Sequence, residues 1–357
     1  MSGAAVNIGN NSCSSDSDGT TVRVHVIAPS SMGKPSNLEV FRRFLREAGM
    51  TAHIDDSIYK AGADLFYANT DQCRAADLVD ALTDNSTVVW CARGGEGASR
   101  LIPYLEALPA DQKQRIRDAR KTLIGYSDAT ALHVYLQTVY GWQTIHGTML
   151  EMIANDVVDR RSVDALVALV TGRSDRVRYE LRLVSADGPR DAVSLRSKTA
   201  GGNLTLVENS LDTPCSFRGD GKIVFLEDAH VKPYSLERSL DHMKLAGVFD
   251  GTTAVVFGSF TVDEQLTGNC NVVPLSDDQL IALVLQRFAA TVPFPVFRVD
   301  GIGHSYINDP LPLNTEATLV GPTWFDREAT GTSSYTLTVD NVYKTELRNR
   351  DRPSGTA

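Results

Sequence analysis

The amino-acid sequence predicts an α/β protein built from two units, and three observations carry that expectation. From Val22 onward, short β-branched runs alternate with amphipathic helical patterns, the order in which strands and crossover helices assemble a parallel sheet. The chain has 357 residues, enough for two domains with a core each. Its 42% hydrophobic and 22% charged residues are ordinary for a globular protein in water.

Residues 1–20 are rich in Ser, Asn, Gly and Asp and too poor in apolar side chains to order themselves, so they read as a flexible tail. Val22, Val24 and Val26 share one face of a first strand, and Leu38, Phe41, Leu45 and Ala48 then recur at helical spacing. Further strands are expected at 87–92 and 121–125, and an amphipathic helix at 163–170 ends a first domain over 21–171. The charged stretch 172–197, with alternating Val177, Tyr179 and Leu181, reads as a linker into a second unit. That C-terminal domain, 198–347, has strands at 222–227, 253–257 and 295–299. Between the first two lies a helix with Leu236, Leu240 and Met243 on one stripe and Gly247 at its stop. A later helix opens with a capping box, Ser276 and Gln279, and is expected to bury Leu280, Val284 and Phe288. Residues 348–357 read as a second tail, and no internal repeat is visible.

A net charge of −9 leaves no basic footprint for nucleic acid. No apolar run approaches the roughly 20 residues of a membrane helix, and the N-terminus lacks the basic start and apolar core of a signal peptide. The expected location is therefore cytoplasmic. The five cysteines (Cys13, Cys73, Cys91, Cys215, Cys270) are scattered, with no C-x-x-C pair and no histidine at ligand spacing, and read as free thiols. No metal is expected.

Residues Leu123-Ile124-Gly125-Tyr126-Ser127-Asp128-Ala129-Thr130 read as a buried strand that stops at Gly125 and turns into a helix with a serine at the corner. Such a corner points a hydroxyl out of the sheet beside the free N–H groups of the helix's first turn, so nucleophile and oxyanion donor come together. The bland alternative is that Ser127 and Asp128 are ordinary helix caps, and Ala129 stands where the elbow G-x-S-x-G has its second glycine. A serine nucleophile also needs a base and something to orient it. His25 falls in a strand, and His133 and His242 fall in helical patterns. His304 instead lies in a glycine-flanked loop, Asp300-Gly301-Ile302-Gly303-His304-Ser305, just after a strand. The orienting acid is offered by Glu227-Asp228 at the end of a buried strand, where alternation turns one of the two inward without saying which. Finally, Trp90-Cys91-Ala92-Arg93-Gly94-Gly95-Glu96-Gly97 sets three glycines after a strand, suited to a second oxyanion donor or an anion nest. It lacks the lysine and hydroxyl of a P-loop and the spacing of a dinucleotide fingerprint.

Taken in order, these pieces resemble the LD-carboxypeptidase family of serine peptidases, which includes muramoyltetrapeptide carboxypeptidases and microcin-immunity peptidases. The resemblance spans residues 22–319. It rests on Ala92-Arg93-Gly94-Gly95 with Gly97, Gly125-Tyr126-Ser127-Asp128, Ile145-His146-Gly147 and Gly201-Gly202-Asn203-Leu204. It continues through Phe225-Leu226-Glu227-Asp228 with Pro233, Tyr234 and Arg238, and through Gly303-His304 with Leu311-Pro312-Leu313. The resemblance implies an N-terminal parallel α/β (flavodoxin-like) domain and a C-terminal β-rich α/β domain, with a triad assembled across their junction. That triad is Ser127 as nucleophile, His304 as general base and Glu227 as its orienting partner. The implied oxyanion hole is the pair of backbone N–H groups of Gly95 and Asp128, and the implied assembly is a homodimer that uses no cofactor. Glu96 departs from the aromatic residue that many relatives carry there, which alters the shape of the cleft.

The expected function is a cytoplasmic serine carboxypeptidase that hydrolyses the bond between an L-centre and a C-terminal D-amino acid in a murein tetrapeptide, through an acyl-enzyme. Its partner would be that peptide, with neither nucleic acid nor membrane involved. Arg93 and Lys198 are the candidate cations for the substrate's terminal carboxylate. Three functions compete: a microcin-immunity type peptidase acting on peptidyl or aminoacyl nucleotide conjugates, a binding module that kept the fold without turnover, and an amidotransferase-like hydrolase with Cys91 as nucleophile.

Overall fold

The structure, a computed structural model, describes residues 21–184, 194–262, 275–321 and 334–342. The expected tails lie outside the described residues, as do Cys13 and Cys270. Five short strands open the chain: β1 (Arg23–Ile27), β2 (Thr51–His53), β3 (Val88–Cys91), β4 (Thr122–Gly125) and β5 (Thr144–His146). They pair in parallel in the order β5-β4-β3-β1-β2, the flavodoxin-like order read from its far edge. Every residue of β3 and β4 is buried, which explains why they read as unbroken apolar runs rather than as alternation. One face carries Val24, Val26, Trp90 and Ile124 against helices Leu38–Glu47 and Arg160–Val170. The other carries Ile27, Val89, Cys91 and Leu123 against helices Asp71–Thr83 and Thr130–Tyr140.

The remaining strands are β6 (Arg176–Leu183), β7 (Ser194–Asn203), β8 (Lys222–Asp228), β9 (Ala254–Phe260), β10 (Val296–Val299), β11 (Leu311–Leu313), β12 (Glu316–Val320) and β13 (Tyr335–Asp340). Seven of them close a barrel in the order β10-β6-β13-β12-β7-β8-β9. Phe225, Val256, Phe297, Leu319 and Leu337 cluster as one core, while Val224, Leu226, Val255 and Phe257 pack beneath helices Pro233–Leu245 and Asp277–Ala289. The capping box of Ser276 and Gln279 is present in full, with Val284 and Phe288 buried and Leu280 half-buried.

Two expectations need correcting. The stretch 172–197 is not a linker: it contains the barrel strand β6 and the start of β7. Its outer face carries Arg178, Glu180 and Arg182 while Tyr179 and Leu181 point into the barrel, so a half-solvated strand presents the charge of a connector. The boundary between the halves is also crossed, because β11 leaves the C-terminal half and pairs antiparallel with β5 as the sixth strand of the first sheet. The C-terminal ends of β3, β4, β8 and β10, where α/β sheets hold their sites, carry the glycine loop, Ser127, Glu227 and the His304 loop respectively.

Candidate active site

Strand β4 ends at Gly125, Tyr126 is fully extended, and the chain then turns at Ser127, which opens a short 3-10 turn, Ser127–Ala129, ahead of helix Thr130–Tyr140. Ser127 holds a φ of 60°, a left-handed conformation that costs a non-glycine residue on the order of 1 kcal/mol or more and persists only where its surroundings enforce it. Those surroundings are close. A Cβ on Gly94 would lie 3.1 Å from Ser127 Cβ and 3.3 Å from Ser127 Oγ, so any side chain there would push the loop or the serine aside by a few tenths of an ångström. The Ser127 hydroxyl has no hydrogen-bond partner among the described residues.

Asp128 turns its carboxylate away from the corner, where Oδ2 accepts the Ala98 N–H at 2.8 Å. Burial pushes its pKa up, against the lowering effect of that hydrogen bond. The same side chain therefore ties the serine turn to the far end of the glycine loop. On the other side, Ser31 Oγ accepts the Glu96 N–H at 3.0 Å and Ser31 N donates to Gly94 O at 3.2 Å. Gly95 follows directly on the glycine packed against Ser127, and Asp128 follows directly on the serine, its N–H in a first turn where such groups lack an intrahelical acceptor. Neither Ser31 nor the side chain of Asp128 carries a local sequence signal for this supporting role.

Glu227 and His304 meet from the C-terminal ends of β8 and β10, the two strands that flank β9 in the barrel. His304 Nδ1 lies 2.7 Å from Glu227 Oε2, and the His304 backbone N–H donates to the same oxygen at 3.1 Å. A carboxylate can only accept, so Nδ1 carries the proton and Nε2 is left as the basic nitrogen. Glu227 is completely buried, and its Oε1 has no partner among the described residues; burial raises its pKa even against the attraction of His304. At His304 the balance reverses: burial works to lower the pKa, but the charge and hydrogen bond of Glu227 leave it raised. Gly303, at φ 118°, makes the approach possible, since a Cβ there would fall 2.6 Å from Glu227 Oε2. The His304 ring packs 4.8 Å from that of Tyr126, the residue before Ser127.

Alternation alone does not choose between Glu227 and Asp228, and the structure buries both, because β8 is covered on its two faces and is buried from Ile223 to Asp228. Asp228 is fully engaged elsewhere: it accepts from Asn203 Nδ2 at 2.7 Å, Ala229 N at 2.8 Å, and Thr205 N and Oγ1 at 3.1 and 2.6 Å. Arg93 is exposed beside Gly94, with Nη1 donating to Met32 O at 2.7 Å. Lys198 is not brought to the site. It pairs in register with Lys222, while Asn203 pairs with Glu227, which places it about 16 Å away along the strand. Cys91 is buried in β3, and burial, then the nearby Asp128 charge, pushes its thiol far above the usual range; it cannot supply a thiolate nucleophile. Among the described residues, the one group of side chains close enough to hold a metal, His25, His53 and Asp80, lies away from Ser127.

Residues 24–147 match the family profile described as the LD-carboxypeptidase N-terminal domain, and residues 196–319 match that of the LD-carboxypeptidase C-terminal domain. A putative carboxypeptidase of Rickettsia conorii is 33% identical over 300 residues, covering 84% of this chain and 88% of the relative. A probable murein peptide carboxypeptidase of Bacillus subtilis is 28% identical over 300 residues, 83% of this chain and 88% of the relative. Among solved structures, the muramoyltetrapeptide carboxypeptidase of Oxalobacter formigenes superposes with a TM-score of 0.69 at 23% identity, covering 89% of this chain and 99% of the other. An MccF-like protein of Bacillus anthracis gives the same TM-score at 18% identity, covering 89% and 96%. Both structural matches show a shared fold. With both halves matched in order and a relative one-third identical along most of its length, the chain belongs to the LD-carboxypeptidase family and is a serine-type carboxypeptidase.

Proposed function

We propose that the enzyme releases a C-terminal D-amino acid from a murein tetrapeptide, with Ser127 as nucleophile, His304 as general base and Glu227 as its orienting partner. The observation that supports this reading is the hydrogen bond between buried Glu227 and half-buried His304, whose ring packs on Tyr126, the residue before Ser127. In the forward step Ser127 Oγ attacks the carbonyl before the terminal residue, and its proton passes to His304 Nε2. The developing oxyanion is met by the N–H groups of Gly95 and Asp128. The imidazolium, stabilised by Glu227, then protonates the departing amine, and the D-amino acid leaves. Water activated by the same histidine hydrolyses the acyl-enzyme and restores Ser127. Arg93, next to the glycine loop, is the candidate partner of the terminal carboxylate.

Sequence relatives named for murein peptides favour this substrate over nucleotide conjugates, since the MccF-like resemblance is one of fold. No helix among the described residues is long and apolar enough to cross a membrane; a cytoplasmic homodimer is the arrangement we propose with this function. The test is mass spectrometry of enzyme quenched during turnover of a murein tetrapeptide. A tripeptidyl adduct on the peptide containing Ser127 supports the assignment, and an adduct elsewhere, or turnover by Ser127→Ala at the wild-type rate, overturns it.

A further inference from the structure

On the outer edge of the N-terminal sheet, two strands beyond β4, His25 of β1 pairs in register with His53 of β2. Their rings lie 4.4 Å apart. Helix Asp71–Thr83 crosses this edge with Asp77 and Asp80 three residues apart and so on the same face. Nitrogens of both histidines and a carboxylate oxygen of Asp80 all fall within 4.8 Å of one another, and Asp77 Oδ1 lies 3.4 Å from His25 Nε2. The group borders an open cleft of about 360 Å³ lined by His53, Asp55, Asn69, Cys73, Asp77 and Asp80, among others.

What separates this group from a scatter of surface charges is the way His25 is held. Its ring is completely buried, and Nδ1 lies 2.9 Å from Asp84 Oδ2. Asp84 is itself fixed by the Lys121 ammonium and by the Ser86 N–H and hydroxyl at 2.9 and 2.6 Å. A carboxylate behind one ring nitrogen is the arrangement that orients a metal-ligating histidine, sets its tautomer and makes the other nitrogen a better donor. That other nitrogen, Nε2, faces Asp77, which itself lines the cleft. Two imidazoles and one or two carboxylates are a ligand set suited to a zinc-class cation. In a tetrahedral site ligand atoms sit about 3.4 Å apart, so the group would have to draw together from its 4.8 Å span, and His53 and Asp80 are the exposed side chains with room to move.

We propose that His25, His53 and Asp80, with Asp77 as fourth ligand, form a binding site for a zinc-class divalent cation, separate from the Ser127 centre. The site clamps β1, β2 and helix Asp71–Thr83 together and takes no part in peptide hydrolysis.

The experiment is calorimetric titration of tag-free, chelator-treated full-length protein with zinc alone, repeated with cobalt to read coordination from its visible spectrum. One equivalent is expected to bind, with tetrahedral cobalt bands, and His53→Ala with Asp80→Asn is expected to weaken that event at least tenfold. Both residues are exposed, so the variant should fold, and its turnover of the murein peptide should match wild type. Cys73→Ser should bind as the native chain does. Absence of a stoichiometric event, an unchanged affinity in the double variant, or loss of binding in Cys73→Ser would each overturn the proposal and leave His25 as one member of a histidine–aspartate ion-pair network.

Discussion

Replacing Glu227 by glutamine removes one charge while keeping the shape of a side chain whose Oε2 sits 2.7 Å from His304 Nδ1. In the ground state His304 is neutral and the loss is that of a charge-assisted hydrogen bond. In the transition state the ring has taken the Ser127 proton, and carboxylate and imidazolium charge centres about 4 Å apart attract by about 4 kcal/mol at an effective dielectric constant near 20. Losing most of that difference predicts a fall in kcat of about a thousandfold. The pH profile moves in a defined direction. Burial alone lowers the His304 pKa and Glu227 is what raises it, so the acid limb of kcat/KM lies above the ordinary imidazole value of about 6.5 in wild type. In Glu227→Gln that limb moves to lower pH. The variant also sheds a fully buried carboxylate whose Oε1 has no partner, so its melting temperature should hold or rise. The assay is D-alanine release from a murein tetrapeptide between about pH 5 and 9, the span in which histidine changes charge, together with thermal melting. A kcat within tenfold of wild type, or an acid limb that stays in place, would refute the orienting role.

Gly94→Ala is expected to cost at least tenfold in kcat while the protein stays folded, because the new methyl would press on Ser127 Cβ and Oγ at 3.1 and 3.3 Å and on Met149 Cε at 3.0 Å; unchanged turnover would show that the loop gives way freely. Asp84→Asn, measured on chelator-treated protein, should destabilise by about 3 kcal/mol because it leaves the buried Lys121 ammonium without its counter-charge. Against the opposing effect of burial, Lys121, Ser86 and His25 hold the Asp84 carboxyl well below the usual range. Its contribution is therefore complete above about pH 4 and lost only as pH falls through the depressed native value. Denaturant titrations should show the gap between the two proteins closing below about pH 4.

Much of the candidate site was legible because parallel strands announce themselves and their C-terminal ends are where side chains leave the sheet. Gly125-Tyr126-Ser127, the glycine loop after β3 and the loop around His304 each follow a buried run that reads unambiguously. Alternation could not choose between Glu227 and Asp228, since β8 is covered on both faces and buries both, and the choice rests on family resemblance. Barrel closure was hidden for a different reason: β6 faces water on one side and looks like charged connector, and β11 is three residues long. Lys198 has the right chemistry for a carboxylate, but strand register decides position, and register puts it at the far end of β7 from Asn203 and Glu227. Register also explains the unexpected group at the sheet edge. His25, His53 and Asp80 belong to three elements, and no local spacing signals that β1 and β2 will set the two histidines side by side.

The central claim, hydrolysis specific for a terminal D-residue, is tested most directly by comparing kcat/KM on matched synthetic murein tetrapeptides ending in D-alanine and in L-alanine. In the proposed mechanism Ser127 and the N–H groups of Gly95 and Asp128 fix one face of attack, so inverting the terminal centre would exchange its hydrogen and methyl and misplace the carboxylate in the transition state. We expect the D-terminated peptide to be cleaved at least about a hundredfold faster, or roughly 2.7 kcal/mol in transition-state binding; equal rates, or a preference for the L-isomer, would contradict that claim even if Ser127 proved essential.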